Sequence, residues 1–325
     1  MSYEEVLERV PPSLREKMNH SAELLRRAEK LALAYDPQDG YYLAFSGGKD
    51  SQALYHMAQL VGVKFKAHMN FTSVDPPEVI RFVRHQYPDV HTIPPKDSIY
   101  NIALKKGFLP TMLARWCCKQ YKEGAGTGKV TLIGIRRDES TKRAKRNEVE
   151  TSNKLFSGTL EGLDEYREQR LAGRRRKPRG VNITNATGER TLGCISGKET
   201  LLISPLLYWT ERDVFAFLNM LGVPHCSLYD EGFHRIGCIN CPMASSKQKL
   251  RENERWPHVK RNWIKAIMAI RRGDGKHNYY KDLPLEGDER QCAEALYDWW
   301  ISAKSYKKWY AERYGPRLFD IDEER

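Results

Sequence analysis

Phe45-Ser46-Gly47-Gly48-Lys49-Asp50-Ser51 decides how the rest of this chain is read. The apolar run Tyr41-Tyr42-Leu43-Ala44-Phe45 leads into it, and the helical pattern Gln52-Ala53-Leu54-Tyr55-His56-Met57-Ala58 leads out. A strand that ends in a glycine pair and opens a helix is a phosphate cradle. The glycines let backbone N–H groups approach an anion, and the helix N-terminus presents its positive end. Ser46 and Ser51 can add hydroxyl donors and Lys49 a point charge. A simple strand-to-helix turn with an exposed Lys-Asp pair would not need the strand and helix patterns that flank this one. The four-residue spacer of a Walker loop is absent, and so is the dinucleotide fingerprint.

The composition narrows the setting. The 325 residues can bury one large core or two modest ones. A hydrophobic share of 40% with 30% charged residues suits a soluble globular protein. No run of 18 apolar residues occurs, so no transmembrane helix and no membrane partner are expected. The start, Met1-Ser2-Tyr3-Glu4-Glu5, lacks an apolar signal core, and a cytoplasmic location is expected. A formal charge of +12 favours polyanionic partners, nucleotides or nucleic acid. Seven cysteines are an odd number for a disulfide framework, and clustered ones in a reducing compartment point to metal or redox chemistry.

Outward from the loop, the pattern predicts a helix over Pro12–Tyr35, strands near Val63–Met69, Val90–Ile93, Val130–Ile135 and Thr200–Pro205, and helices opening at Pro77, Ser98 and Trp209. Strands alternating with helices predict a doubly wound, mostly parallel α/β fold with its ligand at the carboxyl ends of the strands. Three regions are expected: an N-terminal helical segment over 1–40, the α/β domain over 41–245, and a helical, aromatic-rich region over 246–325. The helical pattern degrades over about 141–199, a basic insert. Between Thr141 and Gly180 stand twelve Lys or Arg against six Asp or Glu, densest at Gly173–Gly180. Such a run is either a solvated loop or a clamp on a polyanion, DNA or RNA. The tail predicts a basic helix from Trp256 and another from Asp298 to Tyr310, with their aromatics mainly in the core.

Cys117-Cys118 and Cys238-Ile239-Asn240-Cys241 form a second constellation. A C-x-x-C pair on a turn flanked by Gly237 and Pro242 suits two ligands of one metal site, and the adjacent pair can complete a four-thiolate set. Adjacent cysteines are awkward for a zinc ribbon, so a 4Fe–4S cluster is the first choice and zinc the second. Cys194, Cys226 and Cys292 stand alone and read as structural.

Ser46-Gly47-Gly48-Lys49-Asp50-Ser51 resembles the loop of the PP-loop ATP pyrophosphatase superfamily. Arg115-Trp116-Cys117-Cys118-Lys119, Gly134-Ile135-Arg136-Arg137-Asp138-Glu139-Ser140 with Arg143, Ser204-Pro205-Leu206 with Trp209-Thr210 and Asp213-Val214, and Leu228–Phe233 through Cys238 to Pro242 follow in order. Together they resemble the phosphoadenosine phosphosulfate (PAPS) reductase family, in its cluster-bearing branch, over about Tyr41 to Met243. The resemblance implies an adenine nucleotide alpha hydrolase-like fold. It implies that Ser46, Gly47, Gly48, Lys49, Asp50, Ser51, Arg136 and Arg143 contact the nucleotide, that Lys49 and Asp50 are catalytic, and that Cys117, Cys118, Cys238 and Cys241 hold the cluster. Reductases of the family carry a further cysteine in a C-terminal Glu-Cys-Gly-(Ile/Leu)-His motif. Here Phe319–Arg325 contains none, and Cys292 lies in Arg290-Gln291-Cys292-Ala293-Glu294. The resemblance therefore leans to the DNA-phosphorothioation branch: ATP with magnesium, pyrophosphate release, and cluster-assisted sulfur transfer from a donor protein. PAPS or adenosine phosphosulfate reduction with a reductant protein is the second expectation, and a non-catalytic nucleotide- or nucleic-acid-binding subunit the third.

Overall fold

The structure, a computed structural model, describes residues 1–172, 183–184, 190–191, 200–275, 277–281 and 283–315. The basic run Gly173–Gly180, Cys194 and the tail Phe319–Arg325 lie outside the described residues. The chain divides into two compact units. The first takes Met1–Asn70, Pro77–Ile93 and Gly124–Ile236, and the second takes Phe71–Pro76, Pro94–Glu123 and Gly237–Arg325.

The first unit holds a seven-stranded sheet. Its strands are β1 (Tyr41–Ala44), β2 (Phe65–Asn70), β3 (His91–Ile93), β4 (Val130–Leu132), β5 (Val149–Thr151), β6 (Ser157–Gly158) and β9 (Leu201–Ile203), in the order β3-β2-β1-β4-β9-β5-β6. The short pair β7 (Ile183–Thr184) and β8 (Arg190–Thr191) stands apart from it. The five strands from β3 to β9 run parallel, and β5 and β6 add an antiparallel edge. Leu43, Val130, Leu132 and Ile203 are fully buried between the layers, as parallel strands covered on both faces require. The helices of this unit are α1 (Tyr3–Arg9), α2 (Pro12–Tyr35), α3 (Lys49–Val61), α4 (Pro77–Gln86), α7 (Thr141–Ala144), α8 (Leu160–Ala172) and α9 (Glu211–Met220). The doubly wound α/β expectation therefore holds.

Chain order makes the site. β1, β2 and β3 step outward in one direction, and β4 then returns to the other side of β1. The order reverses between β1 and β4, so the loops leaving these two strands part there and open a crevice. Both loops belong to the motifs singled out above.

The second unit is helical: α5 (Ile99–Lys106), α6 (Trp116–Cys118), α10 (Ser246–Arg255), α11 (Pro257–Arg272), α12 (Glu289–Ser302) and α13 (Tyr306–Tyr314). α11 packs on α5 and α12. Trp263 sits with its ring centroid 4.9 Å from those of both Tyr100 and Trp300, so the aromatics are core, as expected.

Two expectations need correction. The insert is not featureless, since its first part builds α7, β5, β6 and α8. Strands of two or three residues are too short to show alternation in sequence. The tail does not run as one helix from Asp298 to Tyr310. α12 starts nine residues earlier, at Glu289 under the Asp288 capping box, and stops before Ala303, whose φ of 58° is left-handed. Ser305 then caps α13. The uninterrupted aromatic spacing hides this break, because only the backbone at Ala303 marks it.

Candidate functional site

The loop after β1 folds as a cradle for reasons visible in single residues. Gly47 has φ 71°, and a Cβ there would meet Val83 Cγ2 at 2.8 Å and Val79 Cγ1 at 3.0 Å. Its conformation and its packing on α4 both demand glycine. Gly48 has ordinary backbone angles and is the N-cap of α3 without a side-chain cap. The first amides of α3 are thereby left to other partners. The Lys49 N–H donates to Tyr229 Oη at 2.9 Å. Ser51 Oγ donates to Gly48 O at 2.8 Å and accepts from Ser46 N at 3.1 Å, while Ser46 Oγ lies 3.1 Å from it. These serines brace the loop as well as lining it, a use the sequence does not reveal.

Above the loop lies a pocket of about 380 Å³. Ser46, Gly48, Lys49, Asp50, Ser51, Arg136 and Arg143 line it, so the structure brings these expected site residues together. Gly47 is not among the lining residues and packs against Val79 and Val83 of α4. The residues after β4 reach the loop because Gly134 lets them: a Cβ there would lie 2.8 Å from Asp50 O.

The cations of the pocket are matched by acids. Lys49, only 7% exposed, places Nζ 3.1 Å from Glu211 Oε1 and 3.7 Å from Asp50 Oδ2. Arg136, 2% exposed, donates from Nε to Asp50 Oδ1 at 2.6 Å and from Nη1 to Asp138 Oδ2 at 3.2 Å. Burial opposes the Arg136 charge, but Asp50 with Glu139 and Asp138 more than offsets it and raises the guanidinium pKa. Arg143 pairs with Glu139 one helical turn away. Asp138, Glu139, Glu211 and Tyr229 are thus parts of the site that carried no role in the sequence reading. Their signal was adjacency to Arg136, Thr210 and the Leu228–Phe233 motif. Arg136 serves first as a buried strut that orients Asp50.

The second unit gathers the cysteines. Cys117 and Cys118 are the last two residues of α6, and Cys238 and Cys241 lie in the stretch that precedes α10. All four thiols are free, and Cys117 feels the charge of Cys118, Cys238 and Cys241. The Cys117 thiol bonds to Cys118, which pushes Cys118 down to about 5, with Arg115 and Lys122 assisting, and pushes Cys117 up. Arg115 Nη2 lies 3.3 Å from Cys118 Sγ. Thr72 Oγ1 and Lys122 Nζ both lie 3.4 Å from Cys238 Sγ. Burial raises the pKa of Cys238, and Lys122 opposes that. Among the described residues no group of three or more His, Cys, Asp or Glu side chains stands in an arrangement that holds a metal ion. The donor chemistry nevertheless fits a four-thiolate group: four free thiols in one unit, with Arg115 beside Cys118 and with Lys122 and Thr72 beside Cys238, are of the kind a cluster or zinc ion would use. Cys226 and Cys292 are buried.

Comparison with known proteins places these features. The family model described as the phosphoadenosine phosphosulfate reductase domain matches residues 40–244. An uncharacterized protein of Methanocaldococcus jannaschii is 28% identical over 228 residues, covering 69% of this chain and 46% of that protein. An adenosine 5'-phosphosulfate reductase of Staphylococcus epidermidis is 35% identical over 43 residues, 13% of this chain and 18% of that enzyme. The matched stretches thus span less than half of these relatives. A crystal structure of phosphoadenylyl-sulfate (PAPS) reductase from Candida auris, a phosphate complex, aligns at TM-score 0.41 and 15% identity, covering 71% of this chain and 97% of that one. No helix among the described residues is long and apolar enough to cross a membrane. With its domain model matched across both the loop and the C-x-x-C turn, the chain belongs to the phosphoadenosine phosphosulfate reductase domain family.

Proposed function

We propose that this protein is an ATP-using enzyme that adenylates an acceptor, releases pyrophosphate and then delivers sulfur to that acceptor, a nucleic acid. Magnesium enters with the nucleotide. The observation that supports this reading is the pocket floor: a left-handed Gly47, an uncapped α3 terminus and a buried Lys49 ammonium converge where a polyphosphate would lie. The carboxylates beside Lys49, Arg136 and Arg143 favour a phosphate chain that brings its own cation. An acceptor oxygen attacks the α-phosphorus, the bond to the bridging oxygen of pyrophosphate breaks, and the nucleotide remains on the acceptor. Lys49 and the α3 amides carry the charge that develops on the departing pyrophosphate. Asp50, held by Arg136, faces the same space and orients the nucleotide or its magnesium. Hydrosulfide delivered by a donor protein then attacks the activated atom of the acceptor, the bond to sulfur forms, and AMP leaves with the acceptor oxygen. Cys117, Cys118, Cys238 and Cys241 would hold a 4Fe–4S cluster, with zinc as the other candidate; a bound cluster supplies a site that retains or passes sulfur.

Pyrophosphate release from MgATP, measured with a Lys49→Ala control, tests the proposal. A loss of about 100-fold or more is expected in the variant; equal release from both proteins would sink it. Family membership favours a second reading, reduction of PAPS or adenosine phosphosulfate with thioredoxin or glutathione as reductant. Sulfite formation from either sulfonucleotide, without pyrophosphate release from ATP, would select it.

A further inference from the structure

The turn that carries Cys238 and Cys241 is held in place from outside the family domain. The family match ends at residue 244, and the helices that grip the turn begin at Ser246. Asn240, the residue just before Cys241, is 1% exposed and has φ 58°. A left-handed asparagine inside a buried turn is unfavourable unless its surroundings hold it there. Three bonds do so. The Asn240 N–H donates to Glu252 Oε2 at 2.6 Å. Asn240 Nδ2 donates to Tyr297 Oη at 2.7 Å and to Asn253 Oδ1 at 3.1 Å. Tyr297 Oη in turn donates to Asn253 Oδ1 at 2.5 Å. Glu252 and Asn253 belong to α10 and Tyr297 to α12, and Ser246 Oγ ties the start of α10 to Ser302 O at the end of α12 at 2.9 Å.

Glu252 is 3% exposed, and its other oxygen accepts from Gln248 Nε2 at 2.8 Å. One turn earlier on α10, Lys249 is equally buried and within electrostatic reach of Cys241 and Glu252. Buried carboxylates and ammonium groups are rare without a task, because each must be compensated in a medium that screens poorly. A helix that only closed the core would present leucines here. On the other side of the turn, the Ile239 N–H donates to Val74 O at 2.8 Å, so the backbone is pinned on both sides of Asn240.

We propose that Asn240, Glu252, Asn253 and Tyr297 are positioning residues for the thiolate centre. They set the pitch of the Cys238–Cys241 turn, so that α10 and α12 are the part of this chain that shapes its metal site. The inference rests on the four-thiolate reading above, but it does not depend on which metal is bound. Outer residues that orient ligands typically change metal retention by about 10- to 100-fold.

The full chain is purified without oxygen as wild type, Glu252→Ala, Glu252→Gln and Tyr297→Phe. Iron, zinc and acid-labile sulfide are measured, followed by the rate of metal loss to a chelator, the electron paramagnetic resonance spectrum of the reduced protein, and the melting temperature. Glu252→Ala is expected to lose metal about 10- to 100-fold faster with an altered spectrum. Glu252→Gln, whose amide oxygen still accepts from Asn240, is expected to restore most of both. Tyr297→Phe removes only the hydroxyl; it is expected to shift the spectrum and speed metal loss at an unchanged melting temperature, and it carries the test if Glu252→Ala does not fold. Metal loss and spectra equal to wild type in Glu252→Ala and Tyr297→Phe would overturn the proposal, as would equal damage from Glu252→Gln and Glu252→Ala. A wild-type protein holding zinc without sulfide overturns the cluster reading alone, and the retention rates then judge the positioning residues on zinc.

Discussion

In the first unit, six consecutive residues from Ser46 to Ser51 and one sheet reversal make a pocket whose shape exists before any ligand arrives. In the second, four cysteines come from two stretches far apart in the chain, with Arg115 beside Cys118 and with Thr72 and Lys122 beside Cys238. The pocket is held by glycine conformations, backbone amides and internal ion pairs, all of which are complete in the free protein. The cysteine centre is held by what surrounds it, and its own members repel one another once they are ionised. One site is preorganised by the backbone, and the other, on the proposed reading, is completed by the group it binds.

The largest effect that would sharpen this contrast is removal of one thiol. Cys241→Ser is expected to abolish metal retention and to cost the second unit a large share of its stability, on the order of 10 kcal/mol if the group is structural; metal analysis and melting measure both. Full metal content in that variant would break the contrast. The pocket should respond to loss of an internal pair instead. Asp50→Asn leaves Arg136 buried beside a neutral neighbour, with Asp138 as its remaining bonded carboxylate, and a loss of about 3 kcal/mol is expected from denaturant titration.

The two loop glycines should separate next. Gly47→Ala forces a Cβ onto Val79 and Val83 at a positive φ, with an expected cost of about 2 kcal/mol. At Gly48 a Cβ meets only ordinary contacts, 3.6 Å from Ser46 Oγ and Tyr229 Oη. Gly48→Ala should therefore keep its melting temperature and weaken nucleotide binding in calorimetry, and the reverse result would mean that the loop is not read by its backbone.

The smallest effect concerns acid. Burial pushes Asp213 up, but Lys17 and the Thr210 capping bonds outweigh it, and its pKa lies below the ordinary 3.8. Its folded pKa is depressed, so its contribution is complete above the unfolded value and is lost as pH falls through the lower folded value. Asp213→Asn is expected to lose about 1 kcal/mol at neutral pH and to show a shallower decline below pH 4. An unchanged acid limb would assign that decline to other carboxylates.

Much of the α/β unit was legible in the chain because its signals are local. Pro12–Tyr35 is a helix with the expected ends, and the helix expected from Trp209 opens at Glu211 under a Thr210–Asp213 capping box. The helix expected from Ser98 opens one residue later, with Ser98 as its N-cap. The edge strands β5 and β6 were not legible, because Val149–Thr151 is a strand only through its partners Leu201–Ile203. The acids of the pocket were equally hidden. Asp138, Glu139 and Glu211 carried no role in the chain until the sheet reversal sets them, with the expected Asp50, against Lys49, Arg136 and Arg143.

The chain alone therefore determined that a glycine loop follows the first strand and opens a helix, and that the sheet is mostly parallel. Each follows from residue types and short spacings, which act through backbone conformation and side-chain periodicity. Only the tertiary structure decided that Arg136 is a strut on Asp50, that the serines brace the loop, and that Glu252 and Tyr297 hold the cysteine turn. Those roles depend on which distant groups a fold encloses together, and on the need to pair every charge and donor that it buries.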